Sequence, residues 1–278
     1  MNTPLVSIIV TTYNNHATLD ACLASITAQT YPHCELIVVD NASTDDTIEI
    51  AKRYTSKFFI KTPERSTQRN FGVRKARGEY VVIIDSDMEL QPEVIANCVA
   101  TAEADPTVKG IIIPEESFGQ GFWAQCKRLE RSFYVGIDWI EAARFFRKAT
   151  FEEVGGYNEA LVSGEDWDLS QRVGAIGTLA RVDTFILHNE QQLKLMRTLR
   201  KKFYYAGKFT AYTAQTVPTE VSRQPTNIVL RRFGLYFSRP QVLLGNPLLG
   251  VGMLFMKVAE FGCGAAGYLW QQRKREVA

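Results

Sequence analysis

Three clusters of polar residues in the first ninety positions carry the chemistry. Asp85-Ser86-Asp87 follows the apolar run Tyr80-Val81-Val82-Ile83-Ile84, Asp40-Asn41 follows Leu36-Ile37-Val38-Val39, and Thr12-Tyr13-Asn14 closes a β-branched run that starts at Leu5. Each sits where a buried strand would end. Carboxylates at i and i+2 on a strand end can both reach one hard divalent cation or its water shell. Mg2+ or Mn2+ typically takes one or two carboxylates and leaves its remaining positions to water and a substrate phosphate. An Asp-x-Asp alone is a common chance pattern, and Asn14, Asn41 or Ser43 taken singly reads as turn or cap chemistry. Three polar strand ends in equivalent places are harder to assign to turns. In a parallel α/β sheet, ligands bind beyond the carboxyl ends of the strands.

The elements that must position these residues alternate. Residues 5–12 have strand length and composition. In 16–29, Leu19, Cys22, Leu23 and Ile26 fall at i, i+3, i+4 and i+7, one apolar helical face, and Tyr31-Pro32 ends it. A second strand is expected over 35–40, a turn over 41–46, and a helix with Ile48, Ala51 and Tyr54 on one side. A short strand over 57–61, a helix over 66–76, a strand over 79–85 and a helix over 92–104 follow. Alternation with nearly continuous apolar strands predicts an α/β fold, a mainly parallel sheet covered on both faces. Beyond 111–114 the pattern is less regular. Residues 118–138 read as helix, 152–157 as a turn, 164–173 as a turn opening a helix, and 179–187 as one strand.

Composition sets the outer limits. Of 278 residues, 46% are hydrophobic and 22% charged, which excludes a mainly disordered chain. The net charge of +2 hides a split: residues 1–190 carry a net −9 and residues 191–278 a net +11. An acidic domain over 1–190 and a basic, helical extension over 191–278 are expected. The five cysteines, Cys22, Cys34, Cys98, Cys126 and Cys263, form no CxxC pair and read as reduced thiols. The N-terminus reads as a strand, so no signal peptide is expected.

In order and spacing the chain is similar to the family 2 glycosyltransferases of GT-A fold over about residues 4–190. The pieces are Val6–Asn14, Gln29-Thr30-Tyr31-Pro32, Val38–Asp45, Arg69-Asn70-x-Gly72, Gly78-Glu79-Tyr80, Asp85-Ser86-Asp87, Gly155-Gly156-Tyr157 and Gly164–Leu169. The resemblance implies roles. Thr12, Tyr13, Asn14 and Asp40 match positions at the donor nucleotide; an Asp40 carboxylate suits a uracil N3–H and favours UDP or dTDP donors. Arg69 matches a position near base and diphosphate. Asp85 is expected at the ribose or a water, Asp87 on the metal (Mn2+ or Mg2+), and His188 as a further metal ligand or a surface histidine. Asp166 matches the catalytic base of an inverting transfer, which must take the acceptor hydroxyl proton. Glu165, Trp167 and Asp168 are expected at the acceptor or behind the base; a core Trp167 and a first-turn helix acid at Asp168 are the plainer readings. Many relatives carry Asp-Asp where this chain has Asp40-Asn41, so one carboxylate of that pair is replaced by an amide. A non-catalytic nucleotide-sugar-binding scaffold is the rival. A nucleotidyltransferase would show a glycine-rich loop after the first strand, and residues 11–17 hold no glycine.

The extension mixes Arg197, Arg200, Lys201, Lys202 and Lys208 with Phe203, Tyr204, Tyr205, Phe209 and Tyr212 in a helix expected over 193–212; a linker is expected over 218–225. Residues 242–270 contain only Lys257 and Glu260 as charges. These are i, i+3 and can pair. A segment lying on or re-entering the membrane is preferred, then a span, then a soluble or dimer helix. An anionic membrane surface, a nucleotide-sugar donor and a glycan or polyprenyl-linked acceptor are the expected partners; no nucleic acid is, and homo-oligomerisation stays open. The catalytic domain is expected on the cytoplasmic face.

Overall fold

The computed structural model describes residues 3–161, 163–206 and 225–277. Lys208, Phe209, Tyr212 and residues 218–224 of the expected linker lie outside them. The chain divides into two compact units: Met1–Glu116, Gly136–Glu159 and Glu165–Asn189 form the first, and Ser117–Val135, Ala160–Gly164 and Glu190–Ala278 the second. Two segments from within the first 190 residues thus join the C-terminal region in the second unit.

The chain opens with β1 (Val6–Thr12), α1 (His16–Thr27), β2 (Cys34–Asp40), α2 (Thr47–Tyr54), β3 (Phe58–Ile60), α3 (Arg65–Lys75) and β4 (Tyr80–Asp85). After β5 (Met88–Leu90) and α4 (Val94–Ala104) come β6 (Val108–Ile112), β7 (Glu115–Gln120), α5 (Phe122–Ser132), β8 (Ala143–Arg147), α6 (Lys148–Glu153), α7 (Glu165–Gly174), β9 (Thr178–Arg181) and β10 (Ile186–Gln192). A seven-stranded sheet has the order β3-β2-β1-β4-β8-β6-β9. β1 runs parallel to β2 and β4, β2 to β3, and β6 to β9, whereas β8 is antiparallel to both β4 and β6. Every residue of β1 is buried. Alternation divides its side chains: Ile8 and Val10 join Val38, Val82 and Ile84 with the buried residues of α1 and α4, while Ile9 joins Ile37, Val39, Val81 and Ile83 with those of α3, α6 and α7. Both faces are covered, as the apolar strands require.

Three local expectations are corrected. Residues 179–187 are not one strand: β9 ends at Arg181, and β10 begins at Ile186 in a separate sheet of order β5-β10-β7. Polar Asp183-Thr184 marks the break. Residues 118–138 are not one helix, because β7 continues to Gln120 and Gly121, at φ 84°, turns the chain into α5. β8 was not foreseen at all.

Under the amino ends of the strands, Glu35 is enclosed by Ser7 Oγ at 2.5 Å, the Arg77 N–H at 2.6 Å and the Lys57 ammonium. Burial pushes its carboxyl up, and these donors outweigh that, bringing it from an ordinary 4.5 down to about 2. A depressed carboxyl stabilises the fold above its unfolded value and loses that contribution as pH falls through the folded one. Stability is therefore expected to fall between pH 4.5 and about 2. Urea midpoints against pH test this: Glu35→Gln should flatten that limb, and an unchanged slope would remove Glu35 as its source.

The second unit contains α5, α8 (Leu195–Ala206), α9 (Pro225–Ser238), α10 (Pro240–Leu244) and α11 (Pro247–Val277). Lys257 and Glu260 sit inside α11 and pair at 2.6 Å.

Candidate functional site

The carboxyl ends of β1 and β2 lie side by side, with Thr12 opposite Asp40. Their polar residues first of all shape the loops. Asp40 is fully buried and accepts from the Ser43 N–H at 2.7 Å and the Ser43 hydroxyl at 2.5 Å. Asn14 donates its N–H to Ser43 Oγ at 2.8 Å, and its Oδ1 accepts the Thr44 N–H at 2.8 Å. Asn14 and Ala42 adopt φ of 44° and 57°, a region in which alanine is uncommon. Backbone held this way tends to sit at functional edges. Tyr13, the residue before Asn14, is 58% exposed. Thr12 Oγ1 is buried without a hydrogen bond.

At the end of β4 the dominant feature is a cation. Arg69, one turn into α3, is 0% exposed; its Nη2 donates to Asp85 Oδ1 at 2.7 Å, and its Nη1 to Asp166 Oδ1 at 2.9 Å and Glu165 Oε1 at 3.4 Å. The guanidinium lies 4.9 Å from the centre of the Tyr157 ring. Arg69, expected from the resemblance near base and diphosphate, is the common partner of these three carboxylates. Burial works against its charge, and Asp166 and Asp85 more than restore it, so Arg69 stays cationic. Arg144 on β8 approaches from the other side, 3.8 Å from Asp85 Oδ2 and bonded to Glu115 at 2.7 Å. It reaches this edge because β8 is antiparallel, which puts its first residues level with the last residues of β4. Burial pushes the Asp85 carboxyl up, but Arg69, Arg144 and Arg65 hold it far below the carboxylate range.

Asp166 stands in the first turn of α7, where the helix dipole favours an acid. Its Oδ1 accepts from Arg69 and from the Tyr157 hydroxyl at 3.0 Å, and about a quarter of its side chain is open. Tyr157 is itself fixed by Asn70, which donates to the Tyr157 carbonyl and accepts the Tyr157 N–H, both at 2.8 Å. Gly156, at φ 66°, precedes it; an added Cβ would lie 2.7 Å from Asn70 Oδ1. Thus the neighbours Arg69 and Asn70 hold Asp166 and Tyr157 together.

The residues beside Asp166 have other engagements. Glu165 is buried and paired with Arg65 at 3.2 Å as well as Arg69; burial and the Asp166 charge push its carboxyl up. Trp167 donates Nε1–H to the Ile140 carbonyl at 2.8 Å. Asp168 pairs with Arg172 at 2.6 Å, and Arg172 also donates to the Val154 and Gly156 carbonyls. These are contacts to the protein's own frame.

Asp87 follows β4 and leads into β5, and His188 arrives on β10, which pairs with β5. His188 Nε2 lies 3.6 Å from Asp87 Oδ2, and Asp87 is 39% open. A carboxylate oxygen and an imidazole nitrogen at that spacing suit one Mn2+ or Mg2+. No group of three such side chains occurs among the described residues. Two protein donors leave the remaining positions to water and a diphosphate, which fits the habit of these ions.

Sequence reasoning missed Arg144, Arg65, Glu115 and the hydroxyl of Tyr157. The one available signal was Arg144 opening the run Arg-Phe-Phe-Arg, a cation on an apolar strand.

Comparison with known proteins gives the family and the fold. The family model for Glycosyl transferase family 2 covers residues 7–153. A PGL/p-HBAD biosynthesis glycosyltransferase of Mycobacterium bovis is 31% identical over 183 residues, 62% of this chain and 70% of that protein. The mannosyltransferase PcManGT of Pyrobaculum calidifontis, solved with GDP-Man and Mn2+, superimposes with a TM-score of 0.63 at 18% identity over 97% of this chain and 88% of that one. TarS residues 1–349 of Staphylococcus aureus, solved with UDP-GlcNAc, give 0.55 at 16% identity over 97% and 92%. At such identities the likeness is one of fold, and the fold is GT-A. The chain spans 20%, 31% and 38% of the length of three other curated relatives that it matches. The chain belongs to glycosyl transferase family 2.

Proposed function

We propose that the chain is an inverting, metal-dependent glycosyltransferase, moving a sugar from a UDP- or dTDP-linked donor to a hydroxyl of a glycan or polyprenyl-linked acceptor. The observation that carries this reading is the setting of Asp166. Its Oδ1 is tied to Arg69 and Tyr157, which leaves Oδ2 as the oxygen to take a proton, and Arg69 links it directly to Asp85.

In this reading exposed Tyr13 lies against the base. Asp40 exchanges its Ser43 hydroxyl bond for the N3–H of uracil or thymine, and Asp85 meets the ribose or a bound water. Asp87 and His188 would hold the divalent ion, which would supply positive charge to offset that developing on the leaving diphosphate. The acceptor oxygen attacks the anomeric carbon, and the bond from that carbon to the diphosphate breaks, its electron pair leaving with the phosphate. The hydroxyl proton passes to Asp166 Oδ2. A single displacement from the side opposite the leaving group inverts the anomeric centre. Arg69 and Tyr157 keep the base aimed through this step and touch neither substrate. The net +11 of residues 191–278 attaches the chain to an anionic membrane, on its cytoplasmic face.

Thermal shifts with UDP, dTDP, GDP and CDP, each with and without Mn2+, test the donor and the metal together. Binding to the native state raises Tm by mass action, by about 2.7 kcal/mol of stability at 100 times Kd. The expected result is a Mn2+-dependent rise with a pyrimidine nucleotide that disappears in Asp87→Ala. A rise indifferent to both Mn2+ and Asp87 would remove the metal from the account. No rise with any nucleotide would remove the nucleotide-sugar donor from the account.

A further inference from the structure

Along α11 from Leu248 to Leu269 the two charged side chains, Lys257 and Glu260, face inward, and a row of large apolar ones faces outward. Met253, Met256, Lys257 and Glu260 are buried. Lys257 Nζ bonds to Glu130 Oε1 of α5 at 2.7 Å and to Glu260 Oε2 at 2.6 Å. Glu130 also takes Lys127 Nζ at 2.9 Å and the Tyr134 hydroxyl at 2.5 Å, and Tyr134 meets the Tyr236 hydroxyl of α9 at 2.6 Å. An added Cβ at Gly267 would collide with the Phe203 backbone, so α8 packs closely along the same inner side. On the outer side Leu248, Val251, Phe255, Val258 and Leu269 are 57–71% exposed. Their spacing of three, four, three and eleven residues keeps them on one helical face. The face extends for about 30 Å at 1.5 Å per residue. Leu230, Phe237 and Leu244, on α9 and α10, are also more than half exposed.

We propose that α11 lies in the plane of an anionic bilayer, with this stripe in the acyl boundary, and does not span it. The inference deepens the membrane attachment proposed above and rests on it for the partner. Pro247–Arg273 is long and apolar enough to cross a membrane. A span, however, would carry Lys257, Glu260 and the charged helix α5 bound to them into hydrocarbon, where such groups are strongly disfavoured. In the interface the same network stays within protein and only the stripe meets lipid. The choice of lipid over a second copy of the chain rests on charge. Residues 191–278 hold 14 Lys/Arg against 3 Asp/Glu, and Arg231 and Arg273 are exposed on the helices that carry or flank the stripe. Two such surfaces would repel each other, whereas anionic headgroups attract both. The buried Lys257–Glu130–Glu260 set fixes the rotation of α11, so that the apolar face and not another points outward.

The test uses the full chain with two readouts. Flotation with vesicles of phosphatidylcholine, with or without about 25% phosphatidylglycerol, should give binding only to the anionic set, weakened by salt. Phe255→Glu/Val258→Glu should lower that binding by about 10-fold or more while the nucleotide-induced thermal shift stays as in the parent. Alkaline carbonate should strip the chain from membranes. No flotation with any vesicle would overturn the attachment itself. Flotation with carbonate resistance would keep the attachment and overturn the in-plane placement. Binding unaffected by the double substitution would remove the stripe. A concentration-dependent dimer that hides the stripe and ignores lipid would assign it to a second copy.

Discussion

Asp166→Asn is expected to lower kcat by about 1,000-fold, in the range of general-base removal, with nucleotide affinity kept within about twofold. Asparagine retains an oxygen where Oδ1 now accepts from Arg69 and Tyr157, so the first turn of α7 keeps its shape. The amide nitrogen replaces Oδ2 and cannot take a proton. The loss therefore falls on the chemical step, which separates a base from a binding group. Transfer or donor hydrolysis measured beside nucleotide titration decides the matter. Loss of binding in parallel with activity would move Asp166 into the donor site, and full activity would end its role.

Arg69→Met is expected to destabilise the fold by about 3–5 kcal/mol, the usual penalty for removing one partner from a buried charge set. Its guanidinium is fully enclosed and is the common partner of Asp85, Glu165 and Asp166. Without it those carboxylates face one another, with Arg65 and Arg144 at the margins. The sign of the pH dependence follows. Uncompensated carboxylates take up protons as pH falls, so the deficit should be larger at pH 8 than at pH 5. Urea unfolding at both values checks this. A loss below about 1 kcal/mol would mean that the cluster is solvated and that Arg69 does not organise it. Arg69→Lys restores charge but not the fork and should recover only part of the stability.

The parts of this account legible in the sequence were those with local causes. β1, β2 and β4 could be read because buried strands need continuous apolar runs, and their ends because each run stops abruptly at polar residues. The first-turn acids of α7 announced a helix start. β8 escaped because Ala-Arg-Phe-Phe-Arg has neither alternation nor a turn signal; its place in the sheet depends on partners more than thirty residues away. The same distance hid the work of Arg69. Only the resemblance marked Arg69, near base and diphosphate; its carboxylate partners stand 16 and 97 residues away in the chain. Lys257 and Glu260 were readable as a pair by their spacing. Their burial against Glu130 was not, since that contact lies 127 residues away.

The most direct test of the central claim is a crystal structure with Mn2+ and the nucleoside diphosphate that the thermal shifts select, with the metal located by its anomalous scattering. The account predicts one Mn2+ peak joining Asp87, His188 and the diphosphate, with the base beside Tyr13 and Asp166 across the sugar pocket from the leaving group. A diphosphate bound without metal at Asp87, or a nucleotide lying where Asp166 should face the acceptor, would contradict it.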